Sequence, residues 1–298
     1  MDDNFARSFG GVADAYERGR PGYPTEAVKW LVGAEPTTVL ELGAGTGKLT
    51  ETLVELGHDV HACEPDEQML AILRKKLPDI RSSASVAEQI PAPDKSFDVV
   101  VAAQCLHWFD LDRALPEINR VLKPEGRIAV VWNVRDESIP WVRKLGRIIG
   151  TQEQLREPEE PLVKSGLFGF VEQQSFKHWQ KVDRKSIVDL VTSRSNIAVL
   201  DESAREAKLR ELLAFYDDYG RGMDGMQLPY DCDAFRATVI KKSTPAPPPE
   251  FEEPEPRPLF ADEVPRPQGE SEKPADEQKS GPSGNDGDDD DLLLIHFR

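Results

Sequence analysis

The chain lacks the features that would place it in a membrane or outside the cell. Its 298 residues contain no apolar run near the roughly 20 residues that a membrane-spanning helix needs. The longest such runs, Phe97 to Ala103 and Arg127 to Trp132, are strand-sized. The start, Met1-Asp2-Asp3-Asn4, is acidic where a secretory signal is basic. These absences predict a cytoplasmic protein that does not contact a membrane.

Cysteine is also scarce. The three cysteines, Cys63, Cys105 and Cys232, are odd in number, far apart, and not arranged in a CxxC or Cys/His spacing. This pattern argues against a disulfide framework and predicts no metal site. We expect all three to be reduced thiols.

Positively charged residues are also few. The chain has 37 Lys and Arg but 54 Asp and Glu, for a net charge of −17. The first 240 residues carry −9 and residues 241–298 carry −8. A chain body of this sign has no basic footprint for a phosphate backbone. Nucleic acid is therefore not expected as a substrate or partner.

Residues 241–298 differ in composition from the rest of the chain. They are rich in Pro, Glu, Gly, Ser and Asp and contain the run Asp288 to Asp291. Such a segment has too little apolar surface to offset its conformational entropy. We expect a disordered acidic tail, and the role that we consider for it is contact with a protein partner.

Residues 1–240 alternate between strand and helix patterns. The predicted strands are Thr37 to Leu42, His58 to Cys63, Ile80 to Ala84, Phe97 to Ala103, Arg127 to Trp132, Val171 to Trp179 and Leu228 to Ile240. The predicted helices are Thr25 to Gly33 (with Thr25 as N-cap), Lys48 to Leu56, Pro65 to Leu77, Leu111 to Leu122, and a block of two or three within residues 183–220. This order predicts an α/β fold, a doubly wound and mostly parallel seven-stranded sheet, with the helical block as a cap over one end.

The segment Glu41-Leu42-Gly43-Ala44-Gly45-Thr46-Gly47-Lys48 is the most informative. A strand runs into a glycine turn and a helix begins at once, which exposes helix N–H groups to a ligand. A Walker loop is rejected, because Leu49 stands where its hydroxyl residue belongs. A dinucleotide-binding loop is disfavoured, because Lys48 stands where the third glycine of that loop belongs.

The remaining pattern, Glu-x-Gly-x-Gly-x-Gly, is associated with S-adenosylmethionine, whose ammonium group an acid such as Glu41 can meet. The second strand ends in Glu64, about 20 residues beyond the glycines, where ribose recognition requires an acid. The plain alternative for Glu64 is a solvated acid that caps the next helix.

Residues 1–240 resemble a class I S-adenosylmethionine-dependent methyltransferase, in the branch of trans-aconitate methyltransferase-like proteins. The matching segments are Phe9 to Pro24, Val39 to Thr50, Cys63 to Leu70, Ala87 to Pro91, Phe97 to Asp110, Val121 to Asn133 and Leu228 to Tyr230. The resemblance implies the following cofactor contacts: Glu41, Gly43, Ala44, Gly45, Gly47, Glu64, Pro65, Met69, Ala87, Glu88 and Gln104.

Candidates for the chemistry follow from the same resemblance. His107 is the candidate base, although a histidine that holds the loop or only borders the pocket is the preferred reading. Trp108 is a candidate aromatic wall beside the sulfonium, with core packing as the alternative. Residues 1–36 are expected to hold a lid and the first helix. Tyr16, Arg20 and Tyr23 lie on that lid, and Asn133, followed by Arg135, lies past the fifth strand. Arg20 is suited to a carboxylate acceptor, and an equally good reading is that it fixes the lid to an acidic surface group.

The sequence thus predicts methyl transfer to a small molecule, with oxygen as the favoured acceptor atom and nitrogen and carbon left open. Two alternatives stay open. One is an NAD(P)-dependent oxidoreductase, because Glu64 would also serve a dinucleotide ribose. The other is a non-catalytic scaffold that binds S-adenosylmethionine.

Overall fold

The computed structural model describes residues 13–150, 158–220 and 225–240. Its strands are β1 (Thr38–Leu42), β2 (Asp59–Cys63), β3 (Arg81–Ser83), β4 (Phe97–Ala103), β5 (Leu122–Arg135), β6 (Phe168–Val182) and β7 (Met226–Val239). Its α-helices are α1 (Ala13–Gly19), α2 (Thr25–Val32), α3 (Lys48–Glu55), α4 (Glu67–Lys76), α5 (Leu111–Val121), α6 (Pro140–Ile149), α7 (Glu159–Lys164), α8 (Arg184–Thr192), α9 (Ser195–Ala198) and α10 (Glu202–Tyr219). A 3-10 helix, Leu106–Trp108, joins β4 to α5.

The strands form one seven-stranded sheet in the order β3-β2-β1-β4-β5-β7-β6. The adjacent strands β3, β2, β1, β4 and β5 are parallel to one another. Strand β7 runs antiparallel to both of its neighbours, β5 and β6. The predicted seven-stranded α/β fold is therefore confirmed, and the sheet is mixed rather than purely parallel. The chain leaves β6, builds α8 to α10, and returns as β7 between β5 and β6.

Two local predictions are wrong. Thr25 is the first residue of α2 rather than its N-cap, because Pro24, with φ fixed at −62° and ψ at 135°, supplies the extended residue before the helix. Strand β5 begins at Leu122, five residues before the predicted Arg127, and ends at Arg135, so Asn133 and Arg135 lie within it rather than past it. An irregularity in register beside Phe97 accommodates the extra residues at its start.

Three helices were not predicted, namely α1, α6 and α7. A signal for α6 was present, because Pro140 stands at its first turn and Val142, Leu145 and Ile149 recur at helical spacing and are all buried. Helix α1 is only seven residues long and is held by contacts with α8. A Cβ at Gly19 would lie 2.3 Å from the backbone nitrogen of Leu190, so only glycine allows the two helices to approach so closely.

Two apolar layers cover the two faces of the sheet. Leu40 and Leu42 of β1 pack into one layer with α5, and Val39 packs into the other with α2 and α3. This alternation follows from the period of two in a strand. Burial of each such side chain contributes about 1.5–3 kcal/mol relative to exposure. The packed layers fix the ends of β1, β2, β4 and β5 at one edge of the sheet, where ligands bind in open α/β folds.

The predicted helical block within residues 183–220 consists of α8, α9 and α10, which we call the cap; that it covers a substrate stays a prediction. The Asp183 side chain caps α8, in a reciprocal arrangement with Ser186. Within the described ranges, none of the helices is both long and apolar enough to cross a membrane. The predicted tail, residues 241–298, lies outside the described residues, as do residues 1–12 of the predicted lid.

Candidate functional site: a cofactor turn beside a cationic cavity

The turn after β1 needs its glycines. Gly43, Gly45 and Gly47 have φ angles of 66°, 58° and 86°, in the left-handed region that side chains disfavour. A Cβ at Gly43 would also lie 2.7 Å from the sulfur of Cys105. Gly47 is the N-cap of α3, so the turn delivers the chain directly into a helix N-terminus. This geometry is the one expected of a turn that approaches a ligand closely.

Glu41, at the end of β1, is a buried carboxyl group with 1% exposure. Its Oε2 accepts a hydrogen bond of 2.7 Å from the hydroxyl of Thr50. Burial, opposed by the hydrogen bond from Thr50 and aided by the negative charge of Glu64, raises the pKa of Glu41 to about 8. A cation bound nearby would relieve this cost, so the environment suits an ammonium group.

Glu64, at the end of β2, accepts two backbone hydrogen bonds of 2.8 Å. The N–H of Gly45 donates to Oε2 and the N–H of Asp66 donates to Oε1. Glu64 is 6% exposed, and burial raises its pKa. The alternative of a solvated capping acid is wrong, because Asp66 is the N-cap of α4 and accepts from the N–H groups of Gln68 and Met69. Each carboxylate oxygen of Glu64 keeps capacity to accept from a ribose hydroxyl.

The remaining predicted cofactor contacts lie around this turn or beside it. Met69 and Ala87 are buried, and the sulfur of Met69 lies 3.8 Å from the Cβ position of Gly45. Pro65 is part of the link between β2 and α4. Glu88 accepts a 2.7 Å hydrogen bond from the N–H of Asp110. Gln104 follows β4 with a φ of 60°.

Two buried acids beside a glycine turn fit the parts of an adenosyl amino acid, with Glu41 toward the ammonium and Glu64 toward the ribose. Ala44 is also buried at this turn. These residues therefore fit S-adenosylmethionine, and their individual roles stay predictions.

A narrow cavity of about 20 Å³, which is room for about one water molecule, lies beside the cofactor turn, and its walls stand close together. The lining residues come from α1 and the segment after it, the ends of β4 and β5, the cap and β7: Tyr16, Arg20, Pro21, Tyr23, Lys48, Gln104, Asn133, Arg135, Leu190, Arg194 and Tyr230. The structure thus brings together four of the five predicted acceptor residues, Tyr16, Arg20, Tyr23 and Asn133.

Tyr16 connects the cavity to the cofactor turn. Its ring lines the cavity, and its Cε1 atom lies 4.0 Å from the Cβ position of Gly45. The guanidinium of Arg20 lies over the same ring, 5.2 Å from its centre. The two parts of the site are therefore adjacent.

Cationic side chains dominate the cavity wall. Arg135 and Arg194 are only 3% and 8% exposed. Burial, followed by repulsion from Arg20 and Arg135, lowers the pKa of Arg194 to about 9. Burial likewise lowers the pKa of Arg135. Among the described residues that line the cavity, none is an Asp or a Glu, so the wall is a place where an anion would be stabilised.

Neighbouring groups hold these cations in place. Arg135 forms an ion pair of 3.0 Å with Glu137, and Arg20 donates 3.0 Å to the hydroxyl of Ser193. Lys48 forms an ion pair of 3.2 Å with Glu17 of α1. Since Ser193 follows α8, Arg20 is fixed to the cap, and the cavity is closed by elements distant in sequence.

His107 and Trp108 lie outside the lining of this cavity. Both belong to the 3-10 helix after β4, with ring centres 4.6 Å apart. The Nδ1 atom of His107 is buried without a hydrogen-bond partner among the described residues, and burial lowers the pKa of His107 to about 4. A histidine of this pKa is neutral at pH 7 but a weak base. Its role as a base stays a prediction.

Sequence reasoning missed Arg194 and Lys48 as parts of the site, and it treated Tyr230 only as part of a strand. Arg194 follows the end of α8 in a segment without a motif. Its proximity to Arg20 results from the packing of the cap on α1, which no local pattern reports.

An open α/β sheet whose first strand ends in this glycine turn, with acids after β1 and β2, defines a class I methyltransferase architecture. A family model described as a methyltransferase domain matches residues 40–130. An uncharacterized methyltransferase of Mycobacterium tuberculosis is 42% identical over 240 residues, which cover 78% of this chain and 96% of the relative. A second uncharacterized methyltransferase, from Schizosaccharomyces pombe, is 36% identical over 210 residues, covering 67% and 83%.

A solved structure from Anaeromyxobacter dehalogenans, assigned as a type II methyltransferase, matches the fold with a TM-score of 0.54. It is 23% identical and the match covers 74% of this chain and 97% of that one. The chain therefore belongs to the methyltransferase family of these relatives, and its cofactor is S-adenosylmethionine. This membership disfavours both the oxidoreductase and the non-catalytic scaffold.

Proposed function

We propose that this methyltransferase transfers the methyl group of S-adenosylmethionine to a carboxylate oxygen of a small anionic acceptor. The observation that carries the proposal is the cavity beside the cofactor turn, in which Arg20, Arg135 and Arg194 converge. Two of these guanidinium groups are nearly fully buried, and Glu137, which pairs with Arg135, is an acid that stands behind the wall rather than in the lining of the cavity. A carboxylate in the cavity would face three guanidinium groups at once.

The chemistry asks little of the protein beyond alignment. S-adenosylmethionine, held by the glycine turn with Glu41 and Glu64, would supply a sulfonium-activated methyl group, and its sulfur would keep the electron pair of the broken bond. A carboxylate is already ionised at neutral pH, so no base is required. This agrees with a cavity wall that contains no histidine among its described residues and with the low pKa of His107.

The cavity residues then have distinct tasks. Arg135 and Arg194 bind the acceptor by charge, and Arg20 contacts it from α1's side of the cavity. Tyr16 borders both the cavity and the glycine turn, and its ring excludes water from the line of transfer. The branch of trans-aconitate methyltransferase-like proteins is part of the same proposal, supported by the N-terminal segment that supplies Tyr16 and Arg20.

We assign this activity to residues 1–240 and none of it to residues 241–298. A catalytic unit shorter than the whole chain is supported by the mycobacterial relative, because the match covers 96% of that relative but only 78% of this chain. A chain truncated after Lys242 should methylate the same acceptor with an unchanged kcat/KM. A loss of activity on truncation would show that the tail belongs to the catalytic unit.

The test is a turnover screen with the full chain and S-adenosylmethionine against pairs of small carboxylic acids and their amides. Formation of S-adenosylhomocysteine is measured together with the mass of the product. We expect methyl esters from one or more acids and no product from the matching amides. Product from neutral acceptors alone would overturn the proposal.

Two variants refine the test. Arg194→Gln should raise KM for the acid by about 10- to 100-fold, because one charged contact is removed. Its dissociation constant for S-adenosylhomocysteine should change little, and Arg210→Gln, on the exposed face of α10, is the matched control. An Arg194→Gln enzyme with an unchanged KM would contradict the assignment of this cavity.

A further inference from the structure

The segment of residues 13–24, which we name the strap, is held down by two side-chain amides. Asn133 Nδ2 donates a hydrogen bond of 2.9 Å to the carbonyl of Gly22, and Gln180 Nε2 donates one of 2.8 Å to the carbonyl of Gly19. These two carbonyls flank Arg20 and Pro21, which line the cavity. The amides therefore fix the part of the strap that forms the cavity wall.

Each amide is itself held by a second donor. His178 Nε2 lies 2.8 Å from Asn133 Oδ1, and the hydroxyl of Tyr230 donates 3.1 Å to Gln180 Oε1. A side-chain amide can be turned in either sense, and the wrong sense would set its oxygen against the strap carbonyl. A donor on the amide oxygen selects the sense in which the NH₂ group faces the strap.

The register of the sheet brings the two pairs together. Tyr230 of β7 lies opposite Arg135 of β5 on one side and opposite His178 of β6 on the other, so the three share one cross-strand row. The rings of His178 and Tyr230 stack, with centres 5.3 Å apart and planes 15° apart. Asn133 and Gln180 stand two residues from this row on β5 and β6, and so on the same face.

The protonation states suit this arrangement. Because Asn133 Oδ1 is an acceptor, His178 must carry a proton on Nε2. Burial lowers the pKa of His178, which favours the neutral ring with its one proton on that atom. Burial raises the pKa of Tyr230 to about 12, so its hydroxyl keeps the proton that it donates.

We propose that His178 and Tyr230 are positioning residues that act through Asn133 and Gln180 to hold the strap across the cavity. Neither residue needs to touch the cofactor to do so. Their effect reaches the acceptor through Arg20 and Tyr23, which the held strap places in the cavity wall. That last step rests on the proposed function, whereas the holding of the strap does not.

Hydrogen–deuterium exchange of the full chain with bound S-adenosylhomocysteine tests the inference. His178→Phe keeps a ring to stack on Tyr230 but removes the donor, and Tyr230→Phe removes only a hydroxyl. We expect each variant to speed exchange in a peptide spanning residues 16–23 by about tenfold or more, with no change in α5. His178→Gln, whose amide can donate to Asn133, should restore slow exchange.

A double-mutant cycle separates positioning from general stability. In an Asn133→Leu background, His178→Phe should have no further effect on strap exchange, because its target is gone. A full additional effect, or faster exchange spread evenly over the chain, would overturn the inference. If His178→Phe does not fold, Tyr230→Phe with Gln180→Leu provides the same cycle. The exchange data decide this inference, and the acid–amide screen separately decides the proposed function.

Discussion

The backbone N–H of Gly45 donates a 2.8 Å hydrogen bond to Oε2 of Glu64, and so joins the glycine turn after β1 to the end of β2. A glycine with a φ of 58° presents this N–H without a side chain in the way. The same bond holds the carboxylate beside the turn. The two sequence motifs that predicted the cofactor are therefore one physical unit.

The first prediction concerns this turn. Gly45→Asp should abolish detectable binding of S-adenosylhomocysteine, a loss of at least about 100-fold or about 2.7 kcal/mol. A Cβ there meets Met69 and Tyr16 only at ordinary contact distances, but the φ of 58° strains any side chain, so the Tm of the variant is measured to confirm folding; the carboxylate would enter the ligand space next to Glu64. Calorimetry measures the effect. Gly169→Asp, at the start of β6, is the control, and equal affinity in the two variants would refute the cofactor turn.

Glu64 provides the second prediction. Glu64→Ala should weaken binding of S-adenosylhomocysteine by about 1–3 kcal/mol, because the ribose hydroxyls lose an acceptor. Glu67→Ala, an exposed neighbour on α4, should leave the dissociation constant unchanged. If both variants bind like the parent chain, Glu64 has no part in ribose recognition.

How much of this site the sequence predicts depends on whether the contacts are local. Glu41 and the three glycines lie within seven residues, and one turn and one helix start determine their geometry, so the motif predicted them. To predict the position of Glu64, it was enough to know that adjacent parallel strands end at the same edge of the sheet. The arrangement of the turn could therefore be predicted without long-range information.

The cationic cavity is different. Arg194 reaches Arg20 only because α8 packs on α1, and Tyr230 stacks on His178 only because β7 inserts between β5 and β6. These contacts span more than 50 residues of sequence and carry no periodic signal. Likewise, Pro24 displaced Thr25 from the N-cap through a backbone preference that competed with side-chain capping.

A third prediction follows from Glu41. With its pKa at about 8, most molecules carry a protonated Glu41 at pH 7. An ammonium group bound nearby favours the ionised form, so binding should release a proton and affinity should rise between about pH 6 and pH 8. Calorimetry at pH 7 in two buffers of different ionisation enthalpy measures the release. Glu41→Gln should abolish it, and the same release in that variant would exclude Glu41 as the source.

The fourth prediction tests the cavity without knowledge of the acceptor. Succinate should raise the Tm of the protein more than succinamide at matched ionic strength, because an anion bound only to the folded state stabilises it. The difference should shrink in Arg194→Met and persist in Arg210→Met. Equal shifts with the acid and the amide in the parent chain would argue against an anion site.

The cofactor assignment is tested most directly by calorimetric titration of the full chain with S-adenosylhomocysteine, and with NADH and NADPH under identical conditions. We predict saturable binding of S-adenosylhomocysteine and no heat of binding from either nicotinamide. Binding of a nicotinamide cofactor without binding of S-adenosylhomocysteine would mean that the glycine turn and Glu64 form a dinucleotide site, and would contradict the account.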